Sequence, residues 1–250
     1  MWYSIEKEKA RKTALRRVIV TGGSRGIGAA AVRRFVKAGD RVAFLYRSSV
    51  EKAEALAAET GALPFRCDIG DPISCRVGIR SALAALGGCD VLVNNAGISL
   101  VGLFTDATDA DFDRITSVNV GGAFRCTQEI LPEMIREKKG SIVNVSSMWG
   151  VSGASCEVLY STTKAAVIGM TKALAKELGP SGITVNCVAP GVIDTEMNAA
   201  LTESDRAALA DETPLCRIGT PEEVAEVIFY LSSASFVTGQ VLSADGGFTV

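Results

Sequence analysis

The sequence predicts an α/β fold: one doubly wound domain with a seven-stranded parallel sheet and helices on both faces. Three observations carry this expectation. Short apolar runs alternate with stretches of helical spacing along nearly the whole of the 250 residues. The first apolar run empties into a glycine-rich turn that opens a helix. No linker, repeat or shift in composition divides the chain, and its length suits one large α/β domain.

Taken in order, residues 1–12 are dominated by Glu6-Lys7-Glu8-Lys9 and read as a charged arm, leaving residues 13–250 for the domain. Val18-Ile19-Val20-Thr21 is a buried-strand signal, followed by Gly22-Gly23-Ser24-Arg25-Gly26-Ile27-Gly28 and then by helical spacing through Ala31 and Phe35 to a stop at Gly39. A second strand covers residues 41–46, a helix 50–60, a strand 63–67 ending in Asp68, and a helix 72–86. Val91-Leu92-Val93 is the next strand and runs into Asn94-Asn95-Ala96-Gly97. Thr108-x-x-Asp111 is a capping box that opens a long helical region reaching residue 137. Asn119 falls in the middle of that region, where an amide is costly unless it hydrogen-bonds.

The apolar run 141–146 predicts the next buried strand, and helical spacing then continues to Leu178. Residues 184–188 form a strand that Pro190-Gly191 should break. A polar helical stretch at 201–212, between Pro190 and Pro214, has the character of a movable lid. Thr220-Pro221-Glu222-Glu223 is a second capping box, with proline at the first helical position, and its helix carries Val224, Val227, Ile228 and Leu231 on one face. Residues 240–243 supply the last strand.

Composition excludes several classes of function. A net charge of -2 gives no sign of nucleic-acid or membrane-surface binding, and no apolar run is long enough to span a bilayer. The first residues are too polar for a secretory leader, which predicts a cytoplasmic protein. The seven cysteines include no Cys-x-x-Cys pair and are expected as free thiols. With no histidine in the chain, a Ser-His-Asp hydrolase and any zinc site needing imidazole are ruled out, and no metal site is expected. Cys156 likewise lacks a histidine to make it a nucleophile.

Acid-base chemistry must therefore come from other side chains, and Tyr160-x-x-x-Lys164 offers it. The two residues lie one helical turn apart, so an ammonium can sit near the phenol and lower its pKa toward the neutral range. Ser147, at the end of the preceding strand, reaches the same oxygen if the intervening loop folds back. On its own the pattern is common on amphipathic helices; the rest of the chain gives it meaning.

In the glycine turn, the missing side chains let the backbone approach a pyrophosphate at the positive end of a helix, the Rossmann arrangement. An acidic residue at the end of the second strand would select NAD through the ribose 2′-hydroxyl. Tyr46-Arg47-Ser48 stands there instead, and Arg47, with Arg25 in the turn, suits a 2′-phosphate, so NADPH is the expected cofactor.

Together Thr21-Gly22-x-x-x-Gly26-x-Gly28, Asn94-Asn95-Ala96-Gly97, Asn119, Ser147, Tyr160-x-x-x-Lys164 and Pro190-Gly191 resemble the short-chain dehydrogenase/reductase family over residues 13–250. The resemblance implies that Tyr160 protonates a carbonyl oxygen, that Ser147 binds that oxygen, and that Lys164 holds the nicotinamide ribose while acidifying Tyr160. Asn119 would support a water leading protons to Lys164. Asp68 and Ile69 would meet the adenine, Asn95, Ala96 and Gly97 the adenosine ribose, and Ile193 and Thr195, after Pro190-Gly191, the carboxamide. Ser24, Arg25 and Ile27 within the turn and Ser48 beside Arg47 complete the implied cofactor set.

Within the family, Gly182-Ile183-Thr184-Val185-Asn186 and Thr238-Gly239-Gln240 are similar to 3-oxoacyl-acyl-carrier-protein reductases, although of the basic residues expected near a carrier only Lys138 is found and Ser181 follows the catalytic helix. Trp149-Gly150-x-x-Gly153-Ala154-Ser155-Cys156-Glu157 looks more like reductases of the 5-aminopentanone modification of elongation factor P, where Glu157 would suit an ammonium. The expected substrate is thus a small-molecule or carrier-bound ketone. A non-catalytic NADP(H)-binding sensor is the alternative of another class, against which Tyr160 and Lys164 both stand. The family also implies a homotetramer, and the segments 108–137 and 155–178 carry more apolar residues than packing on one sheet requires.

Overall fold

A computed structural model describes residues 15–199 and 201–250. The charged arm proposed for residues 1–12 lies outside them. Seven strands form one parallel sheet in the order β3-β2-β1-β4-β5-β6-β7. They are β1 Arg17–Thr21, β2 Arg41–Tyr46, β3 Leu63–Arg66, β4 Val91–Asn94, β5 Gly140–Val145, β6 Ile183–Pro190 and β7 Val241–Ala244. The reversal of strand order between β1 and β4 opens a crevice at the carboxyl ends of the strands, where α/β sheets place their ligands.

Both faces of the sheet are covered, which is why its strands read as continuous apolar runs. Because successive side chains of a strand point to opposite faces, Val18 and Val20 of β1 enter one core and Ile19 the other. Helix α1 Gly26–Lys37 covers the first face with Val32 and Phe35, beside α2 Val50–Thr60. On the opposite face α3 Pro72–Leu86 contributes Ile79 and Leu86. The long region opened by Thr108 and its capping box begins as α4 Asp109–Thr116 and ends as α5 Gly122–Glu137, whose Ile130 and Met134 are fully buried. Next come a short helix α6 Met148–Ser152 and the long α7 Val158–Leu178. Helices α8 Glu203–Glu212 and α9 Pro221–Ser233 complete the set; Val224, Ile228 and Leu231 of α9 lie in the first core, on the side the sequence marked as apolar. The capping boxes at Thr108 and Thr220 both form, each worth about 1 kcal/mol to its helix.

Three local expectations are corrected. The helix through Asn119 is not continuous, because residues Ser117–Gly121 form a π-helical turn between α4 and α5. Pro190 does not break β6. It pairs with Ala244 of β7, while the β5 ladder has already ended at Val145 opposite Val188, so no neighbour on that side needs its missing N–H. The helical spacing expected up to Leu178 is divided: residues 148–152 form α6, whose N-terminus Ser147 caps by accepting from the Trp149 amide at 3.2 Å, and a break precedes α7. All seven cysteines lie among the described residues and are free thiols. No helix among the described residues is long and apolar enough to cross a membrane.

Candidate active site

The carboxyl ends of β1, β2, β4, β5 and β6 open into one cleft of about 770 Å³. Apart from Asn119, every residue that the sequence marked for cofactor or chemistry lines it, from Gly22 at the end of β1 to Thr195 beyond β6.

The floor is built by close backbone approach. Gly22 has a φ of 65°, and a Cβ on Gly28 would lie 2.1 Å from the Gly22 carbonyl oxygen, so α1 can begin this close to β1 only with glycine there. Thr21 and Asn95 clamp the two central strands: Asn95 Nδ2 donates to the Thr21 carbonyl at 3.0 Å, and Thr21 Oγ1 accepts from the Asn95 and Ala96 amides, both at 3.0 Å. At the start of α1, Arg25 makes no side-chain cap and the first turn holds no acidic residue. Its N–H groups and the positive end of its dipole are therefore not occupied by an acidic residue of their own turn, which fits a pyrophosphate. Arg47 and Ser48 lie at the end of β2 on the same cleft, with no carboxylate in the position that would meet a ribose 2′-hydroxyl. Asp68 accepts from the Gly70 amide at 2.9 Å and lines the cleft with Ile69.

At the other end, Tyr160 and Lys164 leave α7 on one face and are both buried, as is Ser147. Helix α7 is pinned to the end of β5 by Ser146 Oγ, which donates to the Lys164 carbonyl at 2.8 Å. Lys164 Nζ donates to the Val145 carbonyl at 2.9 Å and stands 5.6 Å from the centre of the Tyr160 ring. Gly97 keeps the space beside this ammonium open: a Cβ there would come within 3.3 Å of both Lys164 Nζ and Asn119 Oδ1.

The electrostatics correct one expectation. Burial pushes the Tyr160 phenol up to about 12, against the Ser147 hydroxyl, while the Glu157 charge adds to the rise. Burial also lowers Lys164 to about 8, with the Cys187 thiol as a small opposing influence. The phenol is not acidified by its neighbour; desolvation of the charged form sets the direction of its shift. Tyr160 is thereby held neutral, the form that can donate a proton, and Lys164 still carries its charge below pH 8.

Asn119 sits behind the cleft wall. Its Oδ1 accepts from the Ile98 amide at 2.8 Å, and its Nδ2 donates to the Ile98 carbonyl at 2.9 Å and to Thr163 Oγ1 at 3.0 Å. The π-turn aims this amide at the loop after Gly97, so the apparent defect in the helix is the joint between α5, α7 and the loop that follows β4. Thr163, next to Lys164, escaped the sequence reading, as did a buried chain in which Asn94 Nδ2 donates to Asn144 Oδ1 at 2.9 Å and Asn144 Nδ2 to Thr171 Oγ1 at 2.9 Å. Polar residues inside apolar strands were the available signal for that chain.

The mouth next to Tyr160 is shaped by Leu100, Trp149, Glu157, Met197 and Leu201. Glu157 is half-buried, and burial raises its carboxyl above the usual range, with the Trp149 side chain as the opposing influence. The Trp149 ring is in turn held edge-on by Phe248, with ring centres 5.4 Å apart. A neutral phenol, a hydroxyl beside it and a buried ammonium below can together bind a carbonyl oxygen and deliver a proton to it.

Residues 22–249 match the family described as Enoyl-(Acyl carrier protein) reductase. The chain is 41% identical over 239 residues to the 3-oxoacyl-(acyl-carrier-protein) reductase FabG of Thermotoga maritima, an alignment covering 93% of this chain and 97% of that protein. Among solved structures it is similar to a short-chain dehydrogenase/reductase from Serratia marcescens, with a TM-score of 0.87, 36% identity and coverage of 93% and 97%. A blue fluorescent protein from a metagenomic library, solved in complex with NADPH, matches with a TM-score of 0.87, 38% identity and the same coverage of the two chains.

Proposed function

This chain belongs to the short-chain dehydrogenase/reductase family, oxidoreductases that act on CH–OH and C=O groups with a nicotinamide cofactor, and on that premise we propose that it is an NADPH-dependent reductase of a 3-oxoacyl group borne on an acyl carrier. The observation that carries the catalytic part is the joint burial of Tyr160, Ser147 and Lys164 at the floor of one cleft. FabG relatives at about 40% identity support the substrate class, and the neighbour solved with NADPH supports the cofactor, as do Arg25 and Arg47 in place of an acidic residue.

The cofactor would lie along the cleft, its pyrophosphate at the start of α1, its adenosine between Arg47, Asp68 and Ala96, and its nicotinamide end near Ile193, Thr195 and Lys164. When bound it supplies the hydride. The chain's own residues do the remainder. Ser147 and Tyr160 hold the carbonyl oxygen, and Tyr160 gives it the proton. Lys164 would hold the ribose hydroxyls of the bound cofactor, and its charge would oppose the negative charge that builds on Tyr160 as the proton leaves. Asn119, through Ile98 and Thr163, keeps that end of the cleft from shifting. Oxidising NADPH with acetoacetyl thioesters tests this reading; a protein that binds NADPH yet reduces no 3-oxoacyl thioester overturns the substrate class.

A second reading is favoured by Glu157. A half-buried carboxylate beside the reacting phenol repels the carboxylates and phosphates of ordinary ligands and favours a cation. It suits a ketone carrying an ammonium group, as in the 5-aminopentanone modification of elongation factor P. The same NADPH oxidation assay on a protein bearing that group separates the two substrates.

Exposed Phe112, Phe124 and Ile135 on α4 and α5, and exposed Leu242 with the terminal Val250 around β7, further support assembly into a homotetramer through these surfaces.

A further inference from the structure

The cleft is bounded above the start of α1 by a strap of chain that follows β6. Residues Ser24, Arg25, Gly26, Thr195 and Glu196 line both the main cleft and a second hollow of about 600 Å³, so the strap is the wall between the two. It lies directly over the helix end: a Cβ on Gly26 would stand 3.3 Å from the Thr195 methyl group. A dinucleotide held between Arg47 and Lys164 would lie against this wall.

The strap is held differently on its two sides. On the β6 side its base is anchored by backbone: Ile193 bridges to Gly219, the Asp194 amide donates to the Gly219 carbonyl at 2.9 Å, and Asn198 Nδ2 donates to the Ile193 carbonyl at 2.8 Å. On the α1 and α2 side it is held by one carboxylate. Glu196 accepts from Arg25 Nη1 at 3.2 Å with one oxygen and from the Lys52 ammonium of α2 with the other. Both pairs are about half-exposed, so each is weak by itself and open to screening by salt.

We propose that Glu196 is the latch of this strap: its two ion pairs, to Arg25 and Lys52, hold the strap over the dinucleotide, and their opening gates cofactor entry and release. The latch rests on the dinucleotide reading above. Glu196 neither touches the reacting atoms nor needs to, so it is a positioning residue whose effect falls on exchange of the cofactor. Arg25 is shared with the 2′-phosphate reading, whereas Lys52 is not, so the Lys52 pair is the half of the latch that acts on NADH and NADPH alike.

Stopped-flow fluorescence of bound NADPH and NADH, displaced by excess oxidised cofactor, tests it in the wild type, Glu196→Gln and Lys52→Gln. At low salt both variants should release either dinucleotide about two- to fivefold faster than the wild type, the range expected for loss of exposed ion pairs. Raising the salt to roughly 1 M should speed wild-type release and bring the three proteins together. Unchanged or slower release in both variants, with binding intact, overturns the latch alone. Failure of the wild type to bind either dinucleotide in a prior titration overturns the cofactor reading and the latch with it.

Discussion

The Lys164 ammonium donates to the Val145 carbonyl at 2.9 Å, on the end of β5, and stands 5.6 Å from the centre of the Tyr160 ring. Lys164 thus belongs to the floor of the cleft, bonded to the backbone of β5. Its charge is lost near pH 8, while Tyr160 keeps its proton up to about pH 12. The rate of reduction, read as kcat/KM, should therefore be level below pH 8 and fall above it as Lys164 loses its proton. Lys164→Arg, which stays charged, should abolish that break even if its activity is lower. A break that persists in the Arg variant assigns the titration to another group.

Tyr160→Phe removes the proton donor while preserving the ring that packs in the site. Turnover should drop by about 10²-fold or more, with NADPH affinity by fluorescence titration nearly unchanged. Near-normal turnover would sink the proposed mechanism.

Arg47 lies at the cleft end where a 2′-phosphate is expected. Arg47→Asp should turn attraction into repulsion and offer a carboxylate to the 2′-hydroxyl, so the preference for NADPH over NADH should fall by about tenfold or more. An unchanged ratio of the two kcat/KM values removes Arg47 as the selector.

Glu157→Gln distinguishes the two substrate readings. For a ketone with an ammonium group the change should raise KM, with kcat nearly intact, by an amount corresponding to about 1 to 3 kcal/mol in this half-buried setting. For a 3-oxoacyl thioester it should do little. Equal effects on both substrates, or none on either, take Glu157 out of the question of specificity.

The exposed aromatic residues on α4 and α5 predict that the protein is a tetramer at micromolar concentration. Light scattering should return about four times the chain mass of 26.2 kDa, and Phe124→Asp should lower it. A monomer mass for the unmodified protein refutes the assembly.

What the sequence determined by itself was whatever depends on near neighbours. The apolar runs at Val18, Val42 and Val91 became strands because both faces of the sheet are buried, and Thr108 and Thr220, like Asp71 before Pro72, set helix starts through contacts three residues away. The glycine turn and the Tyr160–Lys164 spacing are equally local, and so the cleft lining could be named in advance. The tertiary structure alone decided matters that depend on distant partners. Asn119 lies in a π-turn and its amide bonds to Ile98, 21 residues away, and Pro190 stays in β6 because β5 ends before reaching it. Glu196 crosses to Lys52 over 144 positions of sequence, beyond any local pattern. The Tyr160 pKa was expected to fall and instead rises, because one turn of helix gives the distance to Lys164 but only the assembled core gives the loss of water, and at this site the loss of water is the larger effect.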